Sequence, residues 1–496
     1  MSQVKTNENG YRHASKLTMF LSQAGAGANM CFYCIMIYAS YIANEGFGIA
    51  VAIAGIIITG SRIFDGVTDP ILAALFDRAS AKKGKIRKFM LAGFLIMCVA
   101  DCSMYIWFAG KLDGIPALLV FIFIYAVHII GYTCFGIPMS AAQIAVTNDP
   151  KQRPFLNFAS TCYSYLVPMI LNTVMAYAIL PKYDNQYNMA SLKETTLVYL
   201  VGAFIFFIMA VIGISPIDNE EVLAGAASAS QKASENKVTF KDMWKMLKDN
   251  KPLRMYVITG ASDKLAQQTG GQSIVMTLMS GILITNYQAA TMIGNAGMIV
   301  GIAFAFLGGA YIAKFGAKNA TTVWSWVSIV LAALTVVFCA ILGPKGMSAI
   351  GTFGVAMVIY IILSIATTGI KMILSTAAGV MKADVTDYWC EQTGKYMAGT
   401  VSGVYSFIDK IISSLSSTIA ALTVALIGYK NTMPQMGDPA TWKILWTTMI
   451  LMFGLPIAGW LCNIFAMRGY ELDRERMVEV QRNIAETKAK ALGGQE

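Results

Sequence analysis

The chain has 496 residues, of which 56% are hydrophobic and 13% are charged, and its mean hydropathy is +0.57. Soluble domains carry about 25% charged residues, so this composition argues against a soluble protein and for an integral membrane protein. The formal net charge is +10, but the basic residues lie in short connections rather than in one patch. This placement argues against a nucleic-acid-binding protein.

About twelve apolar segments follow one another along the chain, centred near residues 30, 58, 98, 128, 167, 205, 268, 300, 330, 364, 412 and 453. Each holds ~20 residues, the length that an α-helix needs to cross a hydrocarbon core of ~30 Å. None shows the alternation of polar and apolar residues that is typical of a barrel strand. The sequence therefore predicts an all-α membrane protein with twelve transmembrane helices.

Basic residues follow every even-numbered segment, and the positive-inside rule places such connections in the cytoplasm. These residues are Lys82, Lys83, Lys85, Arg87 and Lys88 after the second segment, Lys151 and Arg153 after the fourth, Lys232, Lys237, Lys241, Lys245, Lys248, Lys251 and Arg254 after the sixth, Lys314 and Lys318 after the eighth, Lys382 and Lys395 after the tenth, and Arg468, Arg474, Arg476, Arg482, Lys488 and Lys490 at the C-terminal end. We expect a multi-pass protein of the cell inner membrane with both termini in the cytoplasm. The first twenty residues show no cleavable signal pattern.

The most polar long connection is residues 217–252, which separates six apolar segments from six. Its centre, "AGAASASQKASEN", has the composition of a flexible linker, and "TFKDMWKMLKDN" reads as an amphipathic helix on the membrane surface. Similar basic loops, "ALFDRASAKKGKIRK" and "GAYIAKFGAKN", follow the second and eighth segments. This pattern predicts the major facilitator fold. The expected parts are six-helix bundles at 1–216 and 253–468, the middle loop at 217–252 and a cytoplasmic tail at 469–496.

The second apolar segment carries Arg62, Asp65 and Asp69, whose spacing puts all three on one helix face. A charge at bilayer depth costs about 2.5–3.5 kcal/mol, so such residues usually face an interior cavity. One arginine does not neutralise two carboxylates, which repel each other unless they bind Na⁺ or Li⁺ or share a proton. The alternative is an arginine–aspartate pair that stabilises helix packing, which leaves the second carboxylate unexplained.

Four motifs in this order resemble the glycoside–pentoside–hexuronide:cation symporters, a family of the major facilitator superfamily. They are "SRIFDGVTDPILAALFDRASAKKGKIRKFMLAGF" in the second segment, "YTCFGIPMSAAQIAVTNDPKQR" in the fourth, "KADVTDYWCEQTGKY" after the tenth and "VYSFIDKIISSLSSTIAALTVALIGY" in the eleventh. The resemblance implies secondary active transport by alternating access, in which a monovalent cation drives uptake of a sugar, glycoside or hexuronide.

The resemblance also implies a cation site. Asp65 and Asp69 match the carboxylates that ligate the coupling cation, and Thr133 matches a hydroxyl that completes the site. Thr68 stands where the best-known member has an asparagine that influences cation choice, so the choice between Na⁺ and H⁺ stays open. Lys410 matches a lysine close to both the cation and the sugar.

The sugar side departs from the family pattern. Asn29 stands in place of a sugar-binding aspartate, while Gly136, Ser140 and Thr161 replace an acid, an aromatic residue and a base. Small neutral groups predict a roomier pocket and a different sugar from that of the best-known member. Tyr132 and Tyr405 are candidates for stacking on a sugar ring, with packing as the alternative.

Charges elsewhere suggest further contacts. Lys371 lies halfway along the tenth segment, where an unpaired ammonium is costly. It binds an anionic substrate group such as a uronate carboxylate or pairs with Asp263, Asp409 or Asp101, and the two roles can coexist in a switch that occludes the substrate. Residues at the expected cytoplasmic rim either close an inner gate through ion pairs or only signal topology; these are Arg78, Asp149, Arg153, Asp384 and Asp387.

An enzyme is disfavoured, because the chain has two histidines and lacks an HExxH or nucleotide-binding motif. We expect no cofactor beyond the coupling ion, Na⁺ or H⁺, and a monomer in the lipid bilayer. The alternative function is a lipid or lysolipid carrier on the same scaffold, with Lys371 or Lys410 binding the headgroup.

Overall fold

The computed structural model describes residues 5–6, 12–79, 84–147, 149, 152–219, 240–393 and 398–493. The chain divides into two compact units. The N-terminal unit is residues 1–237 with 428–433, and the C-terminal unit is residues 238–427 with 434–496. The sequence prediction places residues 428–433 in the C-terminal bundle, whereas in the structure they are part of the N-terminal unit. The Val51 N–H donates to the Lys430 carbonyl at 3.1 Å, and Asn44 Nδ2 donates to the Asn431 carbonyl at 2.8 Å.

The N-terminal unit is built of helices. They are α1 Lys16–Ser22, α2 Ala24–Ile37, α3 Ala39–Phe47, α4 Val51–Arg78, α5 Ile86–Cys102, α6 Gly114–Val146, α7 Arg153–Val174 and α8 Met189–Ile214. A π-helical segment extends α5 over Ser103–Trp107, and another extends α7 over Met175–Ile179 before the 3-10 turn Leu180–Tyr183. Strands β1 Lys5–Thr6 and β2 Arg12–His13 pair antiparallel ahead of α1.

The C-terminal unit begins with α9 Phe240–Asp249. Its further helices are α10 Lys251–Gly270, α11 Ser273–Met276, α12 Tyr287–Phe315, α13 Ala317–Gly346, α14 Val355–Thr393, α15 Ala398–Leu426, α16 Trp442–Met449, α17 Leu455–Gly469 and α18 Arg474–Gly493. π-helical segments follow α11 over Thr277–Leu283 and α16 over Ile450–Gly454, and the 3-10 turn Met347–Gly351 follows α13.

Polar side chains fix several helix starts by accepting a hydrogen bond from the first turn. Asn188, Asn250 and Asn286 accept from Ser191 N, Leu253 N and Ala289 N, each at 2.9 Å. Since the first N–H groups of a helix have no intrahelical partner, these caps set where α8, α10 and α12 begin.

Within the described residues, eleven helical segments are long and apolar enough to cross a membrane. All twelve predicted segment centres fall inside helices, which confirms the all-α, multi-pass prediction. The seventh predicted segment, α10, is helical but is not among these eleven apolar segments. It carries Asp263, Lys264, Gln267 and Gln268 and is therefore more polar than the other eleven segments, and the shorter apolar helix Ser273–Leu283 follows it.

Close contact between α5 and α6 depends on two glycines. A Cβ on Gly93 would lie 2.6 Å from Phe135 N and 2.8 Å from the Gly131 carbonyl oxygen. A Cβ on Gly131 would lie 3.0 Å from Met97 N. Glycine at both positions lets the two backbones approach, as small residues do at membrane-helix interfaces. This packing fixes which polar side chains of α5 and α6 face each other.

The predicted amphipathic helix is present as α9, in which Trp244 is 67% exposed and Met246 is buried. The flexible-linker prediction falls on residues outside the described ranges. The same holds for basic residues of four connections, namely Lys82, Lys83, Lys151, Lys232, Lys237 and Lys395.

The segment predicted as a tail contains α18, which is bound to the C-terminal end of α14. Arg476 Nη2 lies 2.8 Å from Glu391 Oε2, and Asn483 Nδ2 donates to Glu391 Oε1 at 2.6 Å. The hydrogen bond to Glu479 and the charge of Glu391 raise the pKa of the Arg476 guanidinium. The contacts of Arg476 and Asn483 to Glu391 show that this segment is a helix docked on α14.

Candidate functional site

The two carboxylates of α4 and the Thr133 hydroxyl of α6 lie together in the N-terminal unit. Thr133 Oγ1 is 2.9 Å from Asp65 Oδ1 and 3.0 Å from Asp69 Oδ1. A hydroxyl has one proton and donates to one acceptor at a time. The second carboxylate contact therefore brings two oxygens together without a proton between them, unless one carboxyl group is protonated or a cation is present.

This oxygen cluster is shielded from solvent, with Asp65 7% exposed and Thr133 6% exposed. Carboxylate and hydroxyl oxygens are hard donors, which suit Na⁺ or Li⁺. The Thr68 hydroxyl donates to the Asp65 backbone carbonyl oxygen on its own helix at 3.2 Å, and its role in the cation site stays a prediction. The three-oxygen arrangement can hold a monovalent cation or a shared proton.

A small cleft opens to solvent beside Asp65, and the empty space in it and in front of its mouth is about 390 Å³. Its lining residues come from α2, α4 and α6 and are Tyr33, Met36, Arg62, Asp65, Tyr125, His128, Ile129 and Tyr132. The Arg62 side chain is exposed, and its charge interacts with the Asp65 carboxylate and the surrounding tyrosines. One wall of this cleft is therefore aromatic, and the other presents charge.

Asn29 of α2 reaches this cleft through Tyr132. Asn29 Nδ2 donates to the Tyr132 hydroxyl at 3.0 Å. Asn29 Oδ1 is buried and has no hydrogen-bond partner among the described residues. A buried amide oxygen without a partner is costly, so this atom is available to a hydroxyl donor.

The three small residues of the predicted sugar side border open space. No atom lies within 4 Å of a Cβ placed on Gly136. Ser140 and Thr161 are exposed, and their hydroxyls donate to backbone carbonyls one turn earlier, at 3.2 and 2.8 Å. There is therefore space around these positions on α6 and α7, and the roomier sugar pocket stays a prediction.

In the C-terminal unit, Lys371 of α14 interacts electrostatically with Asp263 of α10. No contact ion pair or hydrogen bond joins the two, although the structure describes both. Instead, Asn463 Nδ2 of α17 donates to both Asp263 oxygens at 3.1 Å each. Asp101, another partner considered for Lys371, is hydrogen-bonded to His128 in the N-terminal unit.

Tyr405 of α15 is a packing residue in this structure. Its ring stacks on Tyr256 with the centroids 4.9 Å apart, and it lies so close to Gly260 that a Cβ there would overlap with Tyr405 Cε2. Lys410 lies five residues further along the same helix and is half-buried.

The predicted rim residues make local contacts. Asp149 Oδ2 lies 3.3 Å from His13 Nε2, and the Arg153 N–H donates to the Asp149 carbonyl oxygen at 3.1 Å. Asp387 accepts from Gln481 of α18 at 2.7 Å. Two further rim residues complete the set: Arg78 is exposed, and Asp384 is half-buried one helical turn before Asp387.

Sequence reasoning missed one pair of residues. Asp101 of α5 and His128 of α6 are both buried, and His128 Nδ1 lies 2.7 Å from Asp101 Oδ1. A signal was available, since a histidine and an aspartate in adjacent apolar segments favour burial as a pair.

A sequence profile of the family described as MFS/sugar transport protein matches residues 21–474 of this chain. The Bacillus subtilis (strain 168) protein named Uncharacterized symporter YjmB is 23% identical over 393 residues, 77% of either chain. The Escherichia coli (strain K12) protein named Putative glycoside/cation symporter YagG is 32% identical over 136 residues, 26% of this chain and 28% of its own length.

Among solved structures, the crystal structure of a D-xylose-proton symporter superposes with a TM-score of 0.61 at 10% sequence identity. The match covers 92% of this chain and all of the other (100%). At this identity the likeness shows the fold alone, and it confirms the predicted major facilitator fold.

Proposed function

This chain belongs to the MFS/sugar transport protein family, and we propose that it is a symporter that uses a monovalent cation to drive sugar, glycoside or hexuronide uptake. The observation that carries the proposal is the Thr133 hydroxyl within 3.0 Å of both Asp65 and Asp69. The printed names of the two relatives, both called symporters, support it as well.

In the proposed cycle, a cation binds between the two carboxylates and removes their repulsion. It fixes α4 and, through Asp65, the wall of the adjoining cleft, so that the sugar binds more tightly. Coupling of this kind is reciprocal, so the sugar raises the cation affinity by the same factor. The empty and the doubly loaded carrier then alternate between the two sides of the membrane, and the singly loaded carrier does not.

The driving force sets the accumulation that this cycle supports. One monovalent cation crossing about 150 mV gains roughly 3.5 kcal/mol. A tenfold concentration gradient adds about 1.4 kcal/mol. Together they support accumulation of a neutral sugar by roughly three to four orders of magnitude. An anionic substrate that moves with one cation loses the voltage contribution, so the transported charge distinguishes the two substrate classes.

Lys371 is proposed to bind an acidic substrate group. Asp263 attracts its charge, but among the described residues the carboxylate oxygens of Asp263 accept from Asn463 and make no contact ion pair with the ammonium. Asn29 and Tyr132 are proposed to contact sugar hydroxyls, since Asn29 Oδ1 faces no donor among the described residues. We assign Lys410 to coupling between the two ligands, on the resemblance alone. The cation, Na⁺ or H⁺, is left to experiment.

The test begins with the purified protein in a thermal-shift screen of neutral glycosides, hexuronides and lysophosphatidylcholine, each in NaCl and in choline chloride. A stabilising sugar is then followed as radiolabelled uptake into vesicles, with a Na⁺ gradient, a pH gradient or neither. We expect Asp65→Asn to abolish gradient-driven accumulation, while the exposed loop variant Asp113→Asn retains it. Full accumulation by the Asp65 variant refutes the proposal, and stabilisation by the lysolipid alone favours a lipid carrier.

Membrane orientation is proposed from the basic connections, which put both termini in the cytoplasm. A fluorescent protein that folds only in the cytoplasm, fused to the C-terminus, tests this. Absence of fluorescence in correctly inserted protein contradicts the orientation.

A further inference from the structure

The buried Asp101/His128 pair has no part in the proposed transport cycle. Asp101 is 0% exposed and His128 2%, and His128 Nδ1 lies 2.7 Å from Asp101 Oδ1. The other carboxylate oxygen, Asp101 Oδ2, is buried and has no hydrogen-bond partner among the described residues. Such a pair is costly to bury, and its charge state depends on one proton.

We place that proton on Nε2 of His128, the imidazole nitrogen that does not face Asp101. Nδ1 faces a carboxylate oxygen at hydrogen-bond distance, and while that carboxylate is ionised Nδ1 is the atom that carries the shared hydrogen. With Nε2 unprotonated, the buried pair has a net charge of −1, and with Nε2 protonated it is neutral. Since burial penalises net charge, the geometry favours a pair that takes up one proton.

The cleft offers a route for this proton, because His128, although 2% exposed, is one of its lining residues together with Arg62 and Asp65. The titratable and charged groups around the pair come from α2, α4, α5 with its π-helical extension, and α6. They are Tyr33, Arg62, Asp65, Cys98, Cys102, Tyr105, Tyr125 and Tyr132. Tyrosine and cysteine normally titrate above pH 8, so Arg62 and Asp65 are the charged groups of this set that act on the pair at the pH of the cell.

We propose that Asp101 and His128 form a proton-binding site, separate from the Asp65/Asp69 cation site, and that proton and cation weaken each other's binding. The first part stands on the buried pair, and the second rests on the proposed cation site. Protonation of His128 adds a positive charge to the wall that Asp65 shares, so it lowers the affinity for Na⁺. By reciprocity, Na⁺ expels the proton.

The first experiment counts protons. Purified protein in a non-ionic detergent is titrated from pH 8.5 to pH 5.5 in choline chloride. We expect His128→Gln, which keeps a donor toward Asp101, to take up about one proton fewer than the wild type. Equal uptake by the two proteins shows that the pair does not take up a proton through His128 between pH 8.5 and pH 5.5 and overturns the proposal.

The second experiment adds NaCl in place of choline chloride near the midpoint of that titration. The wild type is expected to release protons and the His128 variant to release none. His13→Gln is the matched control, because His13 is the other histidine of the chain and lies against Asp149. It is expected to release as many protons as the wild type.

Calorimetric Na⁺ titrations at pH 5.5 and pH 8 measure the coupling. We expect the dissociation constant of the wild type to be about fivefold or more higher at pH 5.5, and the His128 variant to lose this difference. Na⁺ binding without release of a proton overturns the coupling. Absence of Na⁺ binding in the wild type instead removes the Na⁺ assignment at Asp65/Asp69, and the proton count then decides the proton site by itself.

Should His128→Gln not yield a folded protein, Asp101→Asn serves as the second variant. Wild-type calorimetry in two buffers of different ionisation heat also reports the released protons without any variant. Zero release in both buffers refutes the coupling.

Discussion

Replacing Thr133 by valine removes the hydroxyl that contacts both carboxylates and leaves a side chain of the same branched shape. In the structure this hydroxyl lies 2.9 Å from Asp65 Oδ1 and 3.0 Å from Asp69 Oδ1. A hydrogen bond to a charged group contributes about 1.5–3 kcal/mol. In the cation-bound protein, losing this oxygen as a ligand costs a similar free energy. The cation-free protein also loses the hydrogen bond of the hydroxyl to a carboxylate, so part of the cost cancels when the two states are compared.

The expected net effect is therefore at the lower end of that range. About 1.4 kcal/mol corresponds to a tenfold increase in the dissociation constant of the cation. Thr133→Ser, which keeps the hydroxyl and loses only the methyl group, is expected to stay within about threefold of the wild type. The maximal uptake rate at saturating cation is expected to be unchanged in both variants.

The assay is calorimetric titration of the purified protein with NaCl, with choline chloride as the ionic-strength control. A thermal-shift titration with the same salts provides a second measurement on the same samples. If Thr133→Val binds Na⁺ as tightly as the wild type while remaining folded, Thr133 is no ligand. The cation site is then built from other groups.

Three further predictions concern packing and charge. Gly93→Ala is expected to lower the melting temperature by several degrees, because its new Cβ would lie 2.6 and 2.8 Å from backbone atoms of α6. Gly136→Ala is the control, since its Cβ would have no atom within 4 Å, and equal melting temperatures of the two variants would contradict the packing argument. Lys371→Met is expected to weaken uptake of acidic sugars about tenfold more than that of neutral ones, and equal losses would return Lys371 to a structural role. Arg476→Gln is expected to speed hydrogen exchange in α18, measured by mass spectrometry, because it removes the ion pair to Glu391. Unchanged exchange would show that the remaining contacts of α18, among them the hydrogen bonds of Gln481 and Asn483, hold the helix without this ion pair.

The fold class could be predicted from the sequence because it depends on properties of single segments, namely their length and their content of apolar residues. Apolar segments of helical length predict membrane helices wherever they occur, and all twelve segment centres lie in helices. The common face of Arg62, Asp65 and Asp69 is also local, since it follows from 3.6 residues per turn within α4. The amphipathic helix α9 was predicted from the same periodicity.

The site depended on contacts between helices, which no local pattern specifies. Thr133 is 64 residues from Asp69 in sequence, and only a family resemblance placed it near the carboxylates. The Asp101 and His128 contact requires the rotation and register of α5 on α6, which the Gly93 close contact fixes. The contacts between side chains of different helices depend on how the whole helices pack against each other, and this packing is established only in the folded chain.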